Sequence, residues 1–425
     1  MSKVIGIDLG TTFSAIASLD DLGNPEVLAS IEDNRKITAS AIYINGNNVI
    51  VGDKALNHIK DEPKKVVLQT KREMENDVVY SVDHGKWTDD KDLVDTYTPA
   101  QISALILKKL KDYTTDVKKA VITVPAMFAE KARQSTLDAA KLADLEVIEL
   151  INEPTAAVLH YASLPGVEVG GRVMIFDLGG GTFDVTFAEV KNKKVDVLTS
   201  RGDKYLGGRD FDKEITKLMK IKYHDVHKVD IDIENKKEYL QKAEEVKKIL
   251  SVKNKANIII DGPKGPQQIE ITLEEFEESI QTYIEKIKML IEEAMEASGM
   301  KPSRINQTLL VGGSTRIPLI TKVLTNIMGK PPVKGVNVDE AVVCGAAIYA
   351  GLKTEKKTLS NEQQAALKDV NLTDVCNFYM GTLAVVTDHL TNRDVIANTI
   401  IIERDSKLPV SITKRLFTIY EGQET

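Results

Sequence analysis

The sequence predicts an α/β chain of two similar lobes followed by a partial β-unit, and three observations carry that expectation. Segments with the period of buried strands alternate with segments of helical period, as in covered sheets. One motif occurs twice: Ile5-Gly6-Ile7-Asp8-Leu9-Gly10-Thr11-Thr12 is echoed by Ile175-Phe176-Asp177-Leu178-Gly179-Gly180-Gly181-Thr182. Two such loops imply two similar lobes facing one site. Finally, 425 residues exceed one compact core and favour two or three domain-sized units.

Taken in order, Val4 to Leu9 reads as a strand, and Ala41 to Ile44 with Val49 to Val51 flank the turn-prone Asn45-Gly46-Asn47-Asn48. Thr98 suits an N-cap and Pro99 the first helical position, with Ile102, Leu105, Ile106 and Leu110 on one apolar face. Ala120 to Val124 returns to a buried strand stopped by Pro125, and Ala129 to Ala143 reads as a helix. Residues 236 to 251 and 272 to 298 read as long charged helices separated by the turn-rich Asp261-Gly262-Pro263-Lys264-Gly265-Pro266. The polar stretch Lys353 to Gln364 is a boundary candidate. Beyond it, Val385 to Val395, Ile396 to Ile402 and Leu408 to Ile419 look like β-structure.

A net charge of −7 provides no footprint for nucleic acid or an anionic membrane, and Lys236-Lys237, Lys247-Lys248 and Lys356-Lys357 read as solvated helix faces. Only Cys344 and Cys376 occur, without a CxxC pairing, which fits a reducing cytoplasm. The strand motif starts too early to leave room for a signal peptide, and no run approaches the roughly 18 apolar residues of a membrane span.

A strand ending in Asp and turning through Gly-Thr-Thr suits a polyphosphate with a hard cation. Glycine lets backbone N–H groups approach phosphate oxygens, threonine adds donors, and the carboxylate holds Mg²⁺ directly or through its waters. The sequence has no GxxxxGK(S/T) loop and no GxGxxG opening a helix after a strand, which disfavours a P-loop NTPase or a dinucleotide-binding dehydrogenase.

These pieces belong to a longer ordered series: IGIDLGTT (Ile5 to Thr12), VITVPAMF (Val121 to Phe128), NEPTAA (Asn152 to Ala157), FDLGGGTFD (Phe176 to Asp184), LGGRDFD (Leu206 to Asp212), VGGSTRIP (Val311 to Pro318) and DEAVVCGAA (Asp339 to Ala347). In this the chain resembles the DnaK-type seventy-kilodalton heat-shock chaperones, from residue 3 to about residue 353. The resemblance implies a two-lobed actin-like (ribonuclease H-like) ATPase that controls a C-terminal peptide-binding domain. Domain limits would be 1–365 for the nucleotide-binding unit, with lobe I about 1–170 and lobe II about 171–353, the latter holding a smaller subdomain about 209–290. The linker would be 366–374, and 375–425 an incomplete substrate-binding β-subdomain.

Carried over residue by residue, the resemblance implies that Gly10, Thr11, Thr12 and Phe13 cradle the phosphates of ATP or ADP from one lobe and Gly180, Gly181 and Thr182 from the other, with Gly207 and Gly208 alongside. Asp8, Glu153 and Asp177, with Asp184 nearby, would organise Mg²⁺, mostly through water, and K⁺ is a further cation of such sites. Lys71 would place positive charge near the γ-phosphate, and Thr182 would join it, Asp8, Glu153 and Asp177 in catalysis. Alone, Lys71 reads as a surface lysine. Glu244, Lys247 and Ser251, at i, i+3 and i+7 on one helix face, would address the ribose and adenine, with Lys248 adjacent. Gly313, Ser314, Thr315 and Asp339 would form the opposite wall, where Arg316 stacks on the base.

Implied partners are unfolded or hydrophobic peptide clients, a J-domain co-chaperone and a nucleotide-exchange factor, for a cytoplasmic monomer without nucleic-acid or membrane partners. Three departures bear on this. Glu149 stands where the family usually has the arginine that docks J-domains, which puts conventional docking in doubt. The linker reads Asp369-Val370-Asn371-Leu372-Thr373-Asp374, with Asn and Thr in place of leucines, so burying it should gain about 1–3 kcal/mol less per side chain. Leu408-Pro409 and Phe417-Thr418 align with the start of the β-subdomain, but the Gly381 to Pro409 region lacks the usual Gly-Gly turn and Thr425 precedes closure, so poor peptide binding by a shortened form is expected. An actin-like filament or regulatory ATPase and a sugar kinase of the same fold are the alternatives. NEPTAA, the adenosine helix and the recognisable linker favour the chaperone.

Overall fold

The computed structural model describes residues 3–83, 94–164, 170–333, 337–388 and 392–415. The duplicated motif marks a duplicated sheet. In lobe I the strands run Glu146–Asn152, Val117–Val124, Lys3–Asp8, Phe13–Leu19, Pro25–Val27, with Thr38–Ala39 also on Phe13–Leu19. Lys3–Asp8 pairs parallel with Val117–Val124 and antiparallel with Phe13–Leu19, Asp8 facing Ala15. Lobe II repeats the arrangement. Gly170–Leu178 lies between a parallel partner, Gln307–Val311, and an antiparallel one, Phe183–Lys191, with Asp177 facing Asp184. Ile5, Ile7, Ile175 and Phe176 are buried, as strands covered on both faces require. Lys3–Asp8 ends on its aspartate and Gly170–Leu178 carries Asp177 one residue before its end, so both carboxylates stand where the chain leaves the sheet.

Two helices, Glu153–Ser163 and Ala341–Lys353, cross between the sheets. A Cβ on Gly345 would lie 1.8 Å from the carbonyl oxygen of Ala156, and one on Gly6 2.3 Å from the amide nitrogen of Ala347, so the backbones meet where side chains are absent. Around them Val121, Ile151, Val173, Ile175, Leu309, Ala346 and Ile348 form a core common to both lobes. Ala341–Lys353 lies against Lys3–Asp8, the central strand of the lobe I sheet.

Local expectations hold in several places. Thr98 caps the Pro99–Lys111 helix in a reciprocal capping box with Gln101, and Ala41–Asn45 and Asn48–Val51 form a hairpin. Others are corrected. The Asp261–Pro266 turn is the tip of a hairpin of Lys255–Gly262 and Gly265–Thr272, whose polar outward side chains masked the strand period. The helix read over 272–298 is two, Leu273–Ser279 and Gln281–Ser298, broken at Ile280. The polar stretch after Gly351 packs on the body, within the unit expected over 1–365: Ser360 Oγ donates to Asp21 O at 3.0 Å and Gln363 Nε2 to Asp20 O at 2.9 Å. In the C-terminal region Met380–Asp388 and Arg393–Ile402 form one antiparallel hairpin, whereas Leu408 to Lys414 is not a strand, and Phe417, Thr418 and Ile419 lie outside the described residues. Among the described residues no helix is long and apolar enough to cross a membrane.

The polar segment expected to be a linker is docked on the body. Asn371–Thr373 adds a parallel strand to Lys194–Asp203, with Leu372 opposite Val195. Asp374 accepts from Asn152 Nδ2 and Thr155 Oγ1, each at 3.1 Å, and so ties the strand to the Glu153–Ser163 helix. Backbone pairing and a buried carboxylate thus supply part of what the absent leucines would have contributed. Farther on, Arg201 forks onto Asp405 at 3.1 and 2.8 Å, and Asn377 Nδ2 donates to Ala126 O at 2.9 Å.

Candidate functional site

The strand ends of both lobes converge on one cavity of about 680 Å³. Its lining includes Asp8, Gly10, Thr11, Thr12, Phe13, Lys71, Glu153, Asp177, Gly180 and Thr182, and at the other end Glu244, Lys247, Lys248, Ser251, Gly313, Ser314, Arg316 and Asp339. The two glycine loops touch across the cleft. A Cβ on Gly180 would stand 2.0 Å from Thr12 Oγ1, and one on Gly181 2.4 Å from Thr11 Oγ1. The remaining expected residues lie behind this surface. Gly207 backs directly onto Gly180 and Gly181, the carbonyl of Gly208 accepts from Lys247 Nζ at 2.9 Å, and Thr315 is buried with its hydroxyl donating to Gly312 O at 2.7 Å. Asp184 is buried one strand from Asp177.

Charge is concentrated at the lobe I end. Lys71, on the short helical turn Thr70–Glu73, forms a buried ion pair with Glu153 at the start of its helix. Asp8 Oδ1 accepts from Thr123 Oγ1 at 2.9 Å. Burial pushes the carboxyls of Asp8 and Glu153 above their ordinary values, with Lys71 opposing. Asp177 and Asp184 stand well above theirs, through burial first and the neighbouring carboxylates second. Asp184 Oδ1 is buried without a partner. Such a set of hard, mutually repelling oxygen donors suits a hard cation, whose charge would offset the repulsion. Among the described residues no three acidic, histidine or cysteine side chains converge to hold an ion outright.

At the far end the Lys237–Leu250 helix presents Glu244, Lys247 and Lys248, capped by Ser251. Lys248 pairs with Glu244 at 2.7 Å, and its ammonium lies 5.8 Å from the Phe13 ring centroid. Lys247 pairs with buried Asp212 at 2.7 Å, and burial raises that carboxyl to about 6 despite the lysine. On the opposite wall Asp339 holds Arg316 through two bonds of 2.9 and 2.7 Å, fixing the plane of its guanidinium.

Sequence reasoning missed the residues that join the lobes. Arg72 Nε donates to Gly181 O at 2.7 Å while its guanidinium forks onto Asp210, and Lys237 Nζ donates to the carbonyls of Pro63 at 2.8 Å and Val66 at 2.5 Å. Arg209 and Asp212 also line the cavity unforeseen. Their proximity to the glycine motif at Gly207-Gly208 was the available signal. Glu149, far from the cavity, accepts from the Tyr349 hydroxyl at 2.6 Å and pairs with Lys353 at 2.7 Å.

The family model described as Hsp70 protein matches residues 4–416. The chaperone protein DnaK of Thermotoga petrophila is 35% identical over 439 aligned residues, which span 99% of this chain and 68% of that protein. The DnaK proteins of Thermotoga sp. strain RQ2 and Thermotoga maritima show the same identity and coverage.

Proposed function

The chain belongs to the Hsp70 protein family, and from that premise we propose how its cleft binds and hydrolyses ATP in an ATP-dependent chaperone. Nucleotide binding, ATPase activity and chaperone function are those of the family, and nothing favours a filament-forming relative or a sugar kinase. The observation that carries the residue-level reading is the meeting of the two Asp-Leu-Gly loops over Lys71 and Glu153 in one cavity.

In this reading the backbone N–H groups of Thr11 to Phe13 and Gly180 to Thr182 hold the phosphates, with the Gly10 N–H donating instead to Ser14 Oγ at 3.1 Å to fix the loop, and Glu244, Lys247, Ser251 and Arg316 hold the adenosine. Asp8, Glu153 and Asp177, with Asp184 behind them, would hold Mg²⁺, mostly through its waters, and the ion would supply neutralisation of phosphate charge; K⁺ is a candidate second cation. Glu153 restrains the Lys71 ammonium, so it is already oriented when charge develops on the transferred phosphoryl group. The Thr182 hydroxyl and the buried carboxylates orient the attacking water and take up its proton. Preorganisation of this kind acts mainly on the transition state rather than on binding.

The linker strand rests on lobe II and is bonded through Asp374 to a helix of lobe I, so a change in lobe angle would bear directly on it. This supports transmission of the nucleotide state from residues 1–365, through 366–374, to the unit beginning at 375. Peptide clients and co-chaperones follow from the family. That a J-domain docks poorly here, that a nucleotide-exchange factor serves the cleft, and that the protein is a cytoplasmic monomer are further parts of the proposal. Titration calorimetry with ATP, ADP and sugars, followed by single-turnover hydrolysis, tests the central reading. Lys71→Ala should bind nucleotide but lose at least about a hundredfold in hydrolysis, on the order of a lost electrostatic contact in a transition state. Wild-type turnover in that variant would reject the assignment.

A further inference from the structure

Arg209 faces the cavity, and among the described residues no carboxylate is paired with its guanidinium. It belongs to the first turn of the Gly208–His227 helix, where its backbone N–H donates to Gly180 O at 2.9 Å, so its position is tied to the lobe II glycine loop. The half-buried side chain lines the cavity with Thr12, Gln69, Lys71 and Gly180. Its Nε is shielded from solvent and has no hydrogen-bond partner, and among the described residues no carboxylate pairs with its guanidinium.

The surrounding charges explain why. Arg72, Lys237, Asp210, Glu73 and Tyr80 are the charged or titratable groups around it. Both Asp210 oxygens are occupied by Arg72, with Lys213 and the Gly207 N–H also bound. Glu73 accepts from Asn76, and Lys237 is turned to the carbonyls of Pro63 and Val66. Burial, and then repulsion by Arg72, hold the Arg209 guanidinium below its ordinary pKa. An unpaired guanidinium largely removed from water is costly, and a fork of N–H donors beside a glycine loop matches the non-bridging oxygens of a phosphoryl group.

We propose that Arg209 is a phosphoryl-binding residue of the cleft, its guanidinium taking non-bridging oxygens of the terminal phosphate of ATP or of the orthophosphate left after cleavage. The proposal rests on the reading of this cavity as the nucleotide site.

Titration calorimetry on the full chain separates the two sources and the two readings. Ligands are ADP, the β,γ-imido analogue of ATP, and ADP in the presence of orthophosphate, against wild type, Arg209→Gln and Arg209→Lys. With the terminal phosphate as ligand, Arg209→Gln weakens the ATP analogue about tenfold or more while ADP is unchanged, and Arg209→Lys recovers part of the loss. With orthophosphate as ligand, the analogue binds as to wild type, but phosphate no longer tightens ADP. Unchanged binding of all three, or equal weakening of ADP and the analogue, overturns the role of Arg209. Failure of the wild type to bind either nucleotide would sink the nucleotide reading, and this inference with it, before any variant is compared.

Discussion

Replacing Glu149 by arginine restores the charge that J-domain docking uses in the family, but the structure sets a cost on it. Glu149 accepts from the Tyr349 hydroxyl at 2.6 Å and from Lys353 at 2.7 Å. Burial, reinforced by Glu149, pushes the Tyr349 phenol up to about 12, so it stays a donor. A hydrogen bond to a charged acceptor contributes about 1.5–3 kcal/mol. The lysine pair is 39% and 42% exposed, which limits it to about 0–1 kcal/mol. Arginine loses both and faces Lys353 with like charge, so Glu149→Arg should destabilise by about 2–3 kcal/mol. Adding Lys353→Glu should regain about 1 kcal/mol by reversing the pair. Urea denaturation of the nucleotide-free protein measures both. A J-domain is expected to stimulate the wild-type ATPase weakly and the double variant more strongly. Stability of Glu149→Arg within about 0.5 kcal/mol of wild type, the usual range of neutral surface changes, would refute the structural reasoning. Strong stimulation of the wild type, unchanged by either variant, would refute the docking argument.

Two further outcomes follow from buried carboxylates. Asp374→Ala removes the acceptor for Asn152 and Thr155, and with the desolvation that raises this carboxyl returned, the docked linker should lose about 2 kcal/mol. Hydrogen exchange at residues 370–376 should then quicken about thirtyfold, and unaltered protection would show that backbone pairing alone holds the strand. Asp212, raised from 3.8 to about 6, favours its neutral form in the folded state. Its contribution is therefore present below about pH 4 and lost as pH rises through about 6, on the order of 3 kcal/mol. Between about pH 4 and 7 the unfolding free energy of wild type should fall relative to that of Asp212→Asn by that amount, and a constant offset between the two would show that Lys247 fully offsets the burial.

Much of the site was legible in the sequence because backbone-driven features are local. An apolar strand ending in Asp and turning through glycine and threonine declares itself wherever it occurs, and its recurrence at Asp177 announced the second lobe. The capping box at Thr98 and Gln101 and the hairpin at Asn45 to Asn48 are equally local. Lys71 and Glu153 were legible only through the resemblance, since 82 residues separate the partners of that ion pair. The outward polar side chains of Lys255–Thr272 hid a hairpin, because exposed strands carry no strict apolar period. What the tertiary structure alone decided is pairing at a distance: that the Ala341–Lys353 helix lies on lobe I, that the polar segment 369–374 can dock by backbone bonds and Asp374, that Glu149 is already engaged by Tyr349 and Lys353, and that among the described residues no carboxylate pairs with the Arg209 guanidinium. The reason is physical. A side chain's charge can be read from its letter, but whether that charge is satisfied depends on which distant groups the fold brings within about 3 Å.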